Sequence, residues 1–428
     1  MLHQTARFGL ALQSAKGAAA TTNFIRGRVL SHGLQQRYEQ IDTSGEHTGV
    51  HSRSTALQST PIRSGAVVDL SFRHRLYPSM VGYELQGIGF SCSTSTTVIL
   101  TIDATGGTFT LSVSGQTTSS IPENAAASAV ESALEALSTV TVATVTGSNG
   151  GPFTITVDSS VTAATFTANA GSLTGGAGTA AFTGWYYTHV FTLANADSEG
   201  WLSAYDYLGE TSGFDRLVED VRLSQLSFTA DNTGIIVAGT GLGRLMENAT
   251  GSETFTAEVD AALSQANGSF TLTSSNITAA TLGTPRGHTL TIDNPLDEGE
   301  QELHTMNRAT FSPTGKTVTG SLTGLVFSEN IFKEMYWGGA SGTVAVVAIP
   351  KSTNLTWNWQ SANNISAAAA VPYKCTFAIP IVQFMMQPFD VTGGGNLLFD
   401  CTYTMIDALS TAPITVTLQN DTAAYTGT

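Results

Sequence analysis

Charged side chains are scarce in this sequence. Only 12% of its 428 residues are Asp, Glu, Lys or Arg, roughly half the share found in an average soluble domain. Large permanent interfaces are depleted in charge. The composition therefore favours a protein whose surface is mostly covered in an assembly over one with an unusually neutral free surface.

Basic residues are the scarcest of the charged types. The chain has 18 Lys and Arg against 33 Asp and Glu, for a formal net charge of −15. A nucleic-acid-binding groove needs clustered Lys and Arg, so the composition argues against one. The short basic group Arg73–Arg75 is interpreted as the solvated start of a helix. An acidic protein can still surround DNA, because a negatively charged surface repels the DNA and lets it slide past without binding.

Cysteines and long apolar runs are scarce as well. The three cysteines, Cys92, Cys375 and Cys401, do not make a disulfide framework, and the last two lie in strand-like runs that predict buried free thiols. No run is long and apolar enough to cross a membrane, and the first residues lack the basic-then-apolar pattern of a signal peptide. We therefore expect no membrane-spanning segment and no secretion.

Glycine, Ser and Thr are abundant instead. Forty-three glycines among dense Ser and Thr predict many short strands and turns, and hence a mainly β fold. The stretch from Lys316 to Gly338 is the most informative. Its first half, Thr317–Phe327, alternates with the period of a strand. A short helix is predicted next, from the apolar stripe Ile331, Phe332, Met335 and Tyr336.

The same order of parts occurs earlier in the chain. Ile41–Asp42 and Gly87 recur as Ile292–Asp293 and Gly338, each 251 positions further along. Both segments contain a strand end, a long polar loop, a strand and a short helix, which in the first copy includes Met80 and Tyr83. Because few residues are identical, chance spacing is the alternative. We interpret the agreement as an internal duplication.

Residues 92–183 interrupt the first copy with a composition of Ser, Thr, Ala and Gly. Strand-like runs surround a helix that Asn124 is predicted to cap, with Val130, Leu134 and Leu137 on its apolar face. These features predict a small inserted β-rich, Ig-like domain. The predicted domains are residues 1–91 with 184–262, the insert 92–183, and residues 263–428.

The N-terminal end of the chain is expected to be loosely attached. Ala6–Thr22 is small and polar and predicts an extended arm. At the other end, a last strand at Ile414–Leu418 is predicted to precede a polar tail.

Several stretches resemble a known family. The N-terminal sequence AKGAAATTNFIRGRVLSHGLQQRYEQID and the two strand-to-helix units are similar to the tail tube (major tail) proteins of long-tailed bacteriophages. The insert, with GTFTLSVSGQTTSSI, ASAVESALEAL and GGPFTITV, resembles a small module of phage virion proteins. The resemblance implies two tandem β-sandwich or barrel domains, each with a short helix, whose sheets line a channel. It also implies rings that stack through the long loops and the N-terminal arm.

The resemblance further implies a structural virion protein of the phage tail, assembled in the host cytoplasm, and not an enzyme. The usual family member has one tube domain and six subunits in each ring. Two domains here imply a homotrimeric, pseudo-sixfold ring, with a hexameric ring as the alternative. Other tail proteins are expected as partners, and genomic DNA is expected to pass through a net-negative lumen without specific binding. The inserted module is expected to face outward.

The residues expected at the inter-ring contacts are those of the two long polar loops. They are Asp42, Glu46, His47 and His51 in the first loop, and Asp297, Glu298, Glu300 and Glu302 in the second. His47 and His51 have the spacing of a metal pair, but Gly49 between them disfavours a helix, so we interpret the segment as a polar loop. The acidic run after Leu296 lacks the ligand pattern of a calcium loop. No cofactor or metal is predicted.

Two other function classes stay open. The first is a β-rich surface adhesin or carbohydrate-binding protein, for which Trp357 and Trp359 would form a sugar platform, although core or interface packing explains them better. The second is an enzyme that acts on glycans, which lacks a convincing pair of carboxylates. Isolated globular particles would favour the adhesin, whereas rings or tubes would favour the tail protein.

Overall fold

The structure is a computed structural model, and the mainly β class is confirmed. It describes residues 7–41, 62–158, 161–193, 200–208, 215–232, 234–249, 253–257, 260–273, 285–298, 311–326, 352–366, 370–386, 398–407 and 412–427. Strands predominate in this part of the chain, which also contains two short α-helices.

The first elements of the chain are β1 (Arg7–Leu12), β2 (Phe24–Gly27), β3 (Val29–Ile41), β4 (Ile62–Arg75) and α1 (Pro78–Gly87). Phe8, Leu10 and Leu12 of β1 are buried in the core, so the prediction of a loose arm from Ala6 was wrong. Their alternation with smaller residues is a strand signal that the polar composition around them hid.

Helix α1 begins two residues before the predicted Met80 and ends at the predicted Gly87. Pro78 stands in its first turn, where the fixed φ of proline suits a helix and its missing N–H costs no hydrogen bond. Nine of the ten residues are buried, so α1 is a core helix rather than one that covers the sheet with a single face.

The insert begins inside β5 and returns inside β12. Its elements are β5 (Phe90–Asp103), β6 (Gly106–Val113), β7 (Gln116–Thr117), β8 (Ile121–Pro122), α2 (Ala127–Glu135), β9 (Ala143–Gly147), β10 (Phe153–Asp158), a 3-10 turn (Ala163–Thr165), β11 (Phe166–Thr174) and β12 (Thr179–Leu193). The strands β5 and β12 pair along their whole length. The half of this pair near Phe90 and Leu193 lies in the main sheet, where β12 also pairs with β26. The other half joins the insert, where β5 also pairs with β10.

The insert has a hydrophobic core of its own. All members of this cluster lie between Val98 and Ala180, and Val130 and Leu134 of α2 are buried in it as predicted. Asn124 does not cap α2, because the helix begins at Ala127 and its N-cap, Ala126, makes no side-chain hydrogen bond.

The remaining strands follow in two groups. The first is β13 (Leu202–Tyr207), β14 (Arg216–Asp231), β15 (Gly234–Gly243), β16 (Leu245–Asn248), β17 (Phe255–Ala257) and β18 (Ser264–Thr273). The second is β19 (Gly287–Asp293), β20 (Leu296–Asp297), β21 (Ser312–Pro313), β22 (Thr317–Val326), β23 (Ser352–Ser366), β24 (Val371–Met386), β25 (Leu398–Met405) and β26 (Thr415–Asn420).

Two groups of four strands share one arrangement. In each group, the strands lie side by side in the order first, second, fourth and third along the chain. We call β3–β4–β15–β14 the first ladder and β19–β22–β25–β24 the second ladder; every neighbouring pair in both is antiparallel. The common order supports the interpretation as a duplication.

The isoleucines of the two Ile-Asp pairs, Ile41 and Ile292, do not occupy equivalent places in the two ladders. Ile41 lies opposite Ile62. Ile292 lies opposite Val318, whose counterpart 251 positions earlier is Val67. The first strands of the two ladders are therefore shifted relative to the sequence match, and the coincidence of the two Ile-Asp pairs carries no structural meaning.

The two ladders are joined edge to edge within the chain. Gln225–Ala230 of β14 pairs antiparallel with His288–Asp293 of β19. They share one core, in which Phe228 of the first ladder makes an edge contact with Phe377 of the second at 4.8 Å between ring centroids. Among the described residues, the sheet has open edges and does not close into a barrel.

The core also accounts for the predicted aromatic and thiol residues. Trp357 and Trp359 are 5% and 1% exposed, so both pack inside the protein and neither forms a surface platform for sugars. Cys375 and Cys401 are buried free thiols, as predicted, whereas Cys92 is partly exposed.

Candidate assembly surface

Strand β3 forms the outer end of the first ladder. It pairs with β4 from Val29 opposite His74 to Ile41 opposite Ile62, and no strand of the described part lies along its other side. Leu30 and Tyr38 on this strand are 55% and 41% exposed. A long edge strand with exposed apolar side chains is a template for pairing with another chain.

The last strand of the second ladder also has a short open stretch, although β23 and β18 continue the sheet beside the rest of that strand. The last residues of β24, Phe384–Met386, pair with β25 on one side, and no described strand lies on their other side. Met385 is 55% exposed, and Ile406, just after β25, is 39% exposed. In the second ladder, β24 takes the place that β14 takes in the first, but its side away from β25 is already paired with β23 from Val371 to Gln383, so only Phe384–Met386 is open. β14 pairs with β15 on one side and with β19 on the other.

A buried network holds β3 against the rest of the fold. His32 of β3 lies 2.9 Å from the carboxylate of Asp206 on β13, and Arg216 of β14 donates to the same carboxylate and, at 3.0 Å, to the carbonyl of Leu34. Burial alone would raise the pKa of Asp206, but the hydrogen bonds from His32 and Arg216 outweigh it and lower that pKa. These contacts hold β3 in place as the edge strand of the first ladder.

The second polar loop begins beside β3. Arg37 donates to Asp69 at 2.5 Å and to Glu298 at 2.8 Å. All three side chains are more than a third exposed, so these ion pairs contribute little stability. Glu298 is thus held on the exposed surface of the first ladder. Asp297 belongs to the short strand β20 and pairs with Ser312.

The structure locates four of the residues that the sequence singled out for assembly or as repeat markers. Asp297 and Glu298 lie near the β3 edge, whereas Met80 and Tyr83 of α1 are 0% and 7% exposed and belong to the core. The others lie outside the described residues: Asp42, Glu46, His47, His51, Glu300, Glu302, Ile331, Phe332, Met335 and Tyr336.

The basic group at Arg73–Arg75 is not the start of a helix. It is the end of β4, where the fully buried His74 lies 2.5 Å from the carboxylate of Glu84 on α1. Burial opposes the charged imidazole, but the charge and hydrogen bond of Glu84 prevail and raise the pKa of His74. The strand period that buries Leu70 and Phe72 also places His74 on the core side, and this signal could have predicted its burial.

Comparison with known proteins does not identify the chain. No family model matches it, and no curated protein is similar to it at a significant level. In the part of the chain that the structure covers, no three His, Cys, Asp or Glu side chains are grouped as metal ligands are. No helix in that part has the length and apolar character needed to span a bilayer.

Proposed function

We propose that this protein is a structural subunit that assembles edge to edge into rings, and that stacked rings form the tail tube of a long-tailed bacteriophage. The observation that carries the proposal is the junction of β14 with β19, which joins two ladders of identical order inside one chain. In a ring, the open stretch Phe384–Met386 at the end of β24 of one subunit would meet β3 of the next.

The two edges differ, so the proposed contact is heterologous. Heterologous contacts build closed rings when the rotation between neighbours closes, and open filaments when it does not. With two ladders in each chain, three subunits supply six ladders, which gives the pseudo-sixfold ring implied by the family resemblance. The low charge content of the chain agrees with a surface that is largely covered in such an assembly.

The function proposed for the rings is to conduct DNA. Their partners would be other tail proteins, and the virion tail would be their location. A net charge of −15 suits a lumen that DNA passes without sticking. A ring structure whose lumen is dominated by Lys and Arg would contradict this part of the proposal.

The alternative of a surface adhesin has less support than the tail-tube proposal. Its sequence argument depended on Trp357 and Trp359 as a sugar platform, and both side chains are in the core.

Electron microscopy of the purified full chain tests the proposal. The wild type is expected to form rings or tubes. Leu30→Asp and Tyr38→Asp are expected to leave single subunits, because each places a charge at the β3 edge that would have to be buried between copies. Val142→Asp is the matched control, since Val142 is 57% exposed on the insert, away from β3.

The control is expected to assemble like the wild type, and all variants are expected to keep the circular dichroism spectrum of a β protein. Wild-type protein that stays as isolated particles at high concentration would contradict the proposed assembly. Unchanged rings in both β3 variants would show that this edge is not the interface.

A further inference from the structure

The chain after β26 is not a loose polar tail. Residues Asp421–Gly427, here called the C-terminal segment, cross over α1, and Tyr425 is 6% exposed. Its ring meets that of Tyr83 edge-on at 5.0 Å and that of His189 at 4.7 Å. Its hydroxyl donates to the carbonyl of Pro78 at 3.1 Å and accepts from the amide of Asn420 at 2.7 Å.

A buried carboxyl group lies where this segment passes the first turn of α1. Asp260 is 1% exposed. Its Oδ2 accepts hydrogen bonds from the backbone N–H and the hydroxyl of Ser79, at 2.6 and 2.5 Å. The hydroxyl of Thr422 in turn donates to the Ser79 hydroxyl at 3.0 Å. Ser79 therefore links Asp260 to the C-terminal segment.

The other oxygen of Asp260 meets a second acid. Its Oδ1 has no hydrogen-bond donor among the described residues, yet the side chain is within hydrogen-bonding contact of the Asp421 carboxyl. Two carboxylates both lack a proton to donate, so this contact is a hydrogen bond only when one of them is protonated. Neither carboxyl forms an ion pair with a Lys or Arg of the described part.

The groups around the pair do not supply a compensating positive charge. Tyr373 of β24 donates to Asp421 at 3.4 Å. Tyr425 is the other titratable group on the C-terminal segment, and α1 carries Tyr83 and Glu84, the latter paired with His74. His189 of β12 lies 2.9 Å from the carbonyl oxygen of Thr422, and burial lowers its pKa to about 4, so it adds no positive charge near neutral pH. A cavity of about 340 Å³ opens beside the C-terminal segment and is lined by Ser79, Tyr83, Asp421 and Thr422, among other residues. It gives water a route by which a proton can leave or return.

We propose that Asp260 keeps its carboxyl proton in the folded protein and donates it to the Asp421 carboxylate, and that this proton is a pH-sensitive clasp that holds the C-terminal segment on α1. The inference is independent of the proposed ring assembly. Loss of the proton leaves two like charges in contact, one of them buried, so the clasp opens.

The direction of the pH response follows from the shift. Burial, and next the neighbouring Asp421 carboxyl, raise the pKa of Asp260 from its ordinary 3.8 to about 7. A folded-state pKa above the unfolded value means that the folded form holds a proton that the unfolded form has released. The stabilisation that this proton gives the clasp is therefore fully present below about pH 4 and is lost as pH rises through about 7.

Hydrogen–deuterium exchange of the full chain at pH 5.5 and pH 8.5 tests the clasp. After correction for the intrinsic pH dependence of exchange, wild-type amides in the C-terminal segment are expected to exchange at least tenfold faster at pH 8.5. Asp260→Asn and Asp421→Asn are expected to lose this difference, because an amide can donate to the remaining carboxylate without itself ionising.

Glu135→Gln is the control, because Glu135 is exposed on α2 and its substitution changes charge by the same amount. It is expected to respond to pH as the wild type does. Asp421 is partly exposed, so Asp421→Asn tests the clasp even where Asp260→Asn fails to fold.

Equal exchange of the wild-type segment at both pH values would overturn the proposal, and so would a pH response that persists in Asp421→Asn. The exchange measurement is finally repeated in millimolar calcium. If calcium restored protection of the wild type at pH 8.5, a bound cation rather than a proton would be the partner of the two carboxyls, and the proposal would be wrong.

Discussion

The buried ion pair of His74 and Glu84 joins β4 to α1, and neither side chain has any exposed surface. Such a pair is not by itself evidence of stability, because desolvation offsets much of the attraction. Removal of one partner is different, because it leaves the other charge buried without compensation.

Glu84→Gln tests this contact. We expect a loss of about 3 kcal/mol or more in the free energy of unfolding, measured by urea denaturation. Arg73→Gln, a change at the exposed neighbour in the same strand, is expected to cost less than about 0.5 kcal/mol. A similar small loss for both variants would show that His74 is neutral in the folded protein.

The pair also has a defined pH dependence. The pKa of His74 is raised in the folded state. Its contribution to stability is therefore fully present below the ordinary pKa of 6.5 and is lost as pH rises through the raised value. The response has the same sign as that of Asp260, so Glu84→Gln and Asp421→Asn together separate the two contributions.

At the scale of elements, the contact of α1 with the C-terminal segment is unusually close. A Cβ atom at Gly82 would come within 2.1 Å of the Tyr425 ring. Glycine at this position is therefore required by packing and not by backbone conformation.

Gly82→Ala is expected to destabilise the protein by about 1–3 kcal/mol, because the added methyl group must displace the aromatic ring. The measurement is the midpoint of urea unfolding. Gly315→Ala is the matched control, since a Cβ at Gly315 would meet no atom within 4 Å. If the two variants were equally stable, the C-terminal segment would not be packed on α1 in solution.

The helix and the strands around it were partly predictable from the sequence. The alternation in β4 predicts a strand over Ile62–Phe72, and the glycine at the end of α1 closes a predicted helix over Met80–Leu85. Both predictions agree with the observed bounds, Ile62–Arg75 and Pro78–Gly87, to within three residues. The burial of Tyr425 could not be predicted in this way. It depends on α1, which lies more than 300 residues earlier in the chain, and no local period reports such a contact.

At the scale of the whole molecule, the first and second ladders have the same strand order. The repeated order of parts in the sequence suggested a duplication, and the common strand order of the two ladders supports it, although the match of the two Ile-Asp pairs does not survive in the structure. The internal junction of β14 and β19 then provides a template for how one subunit could meet the next.

The template predicts the size of the ring. Subunits of 44.7 kDa are expected to assemble in threes, so mass photometry of dissociated rings is expected to give about three times the subunit mass, in line with closed heterologous assembly. A ring of six subunits would keep the β3 contact but contradict the pseudo-sixfold arrangement. Leu30→Asp is expected to give only the subunit mass, and Val142→Asp the same distribution as the wild type.

The sequence by itself determined the mainly β class, the buried thiols of Cys375 and Cys401, and the positions of β4 and α1. These properties follow from composition and from periods of two to four residues, which are local. Tertiary structure alone decided that β1 is a core strand, that His74 and Glu84 pair, and that Asp260 meets Asp421. It also decided that β14 accepts β19. Each of these contacts joins residues that are brought together only by folding, and their burial and charge depend on neighbours that the local sequence does not contain.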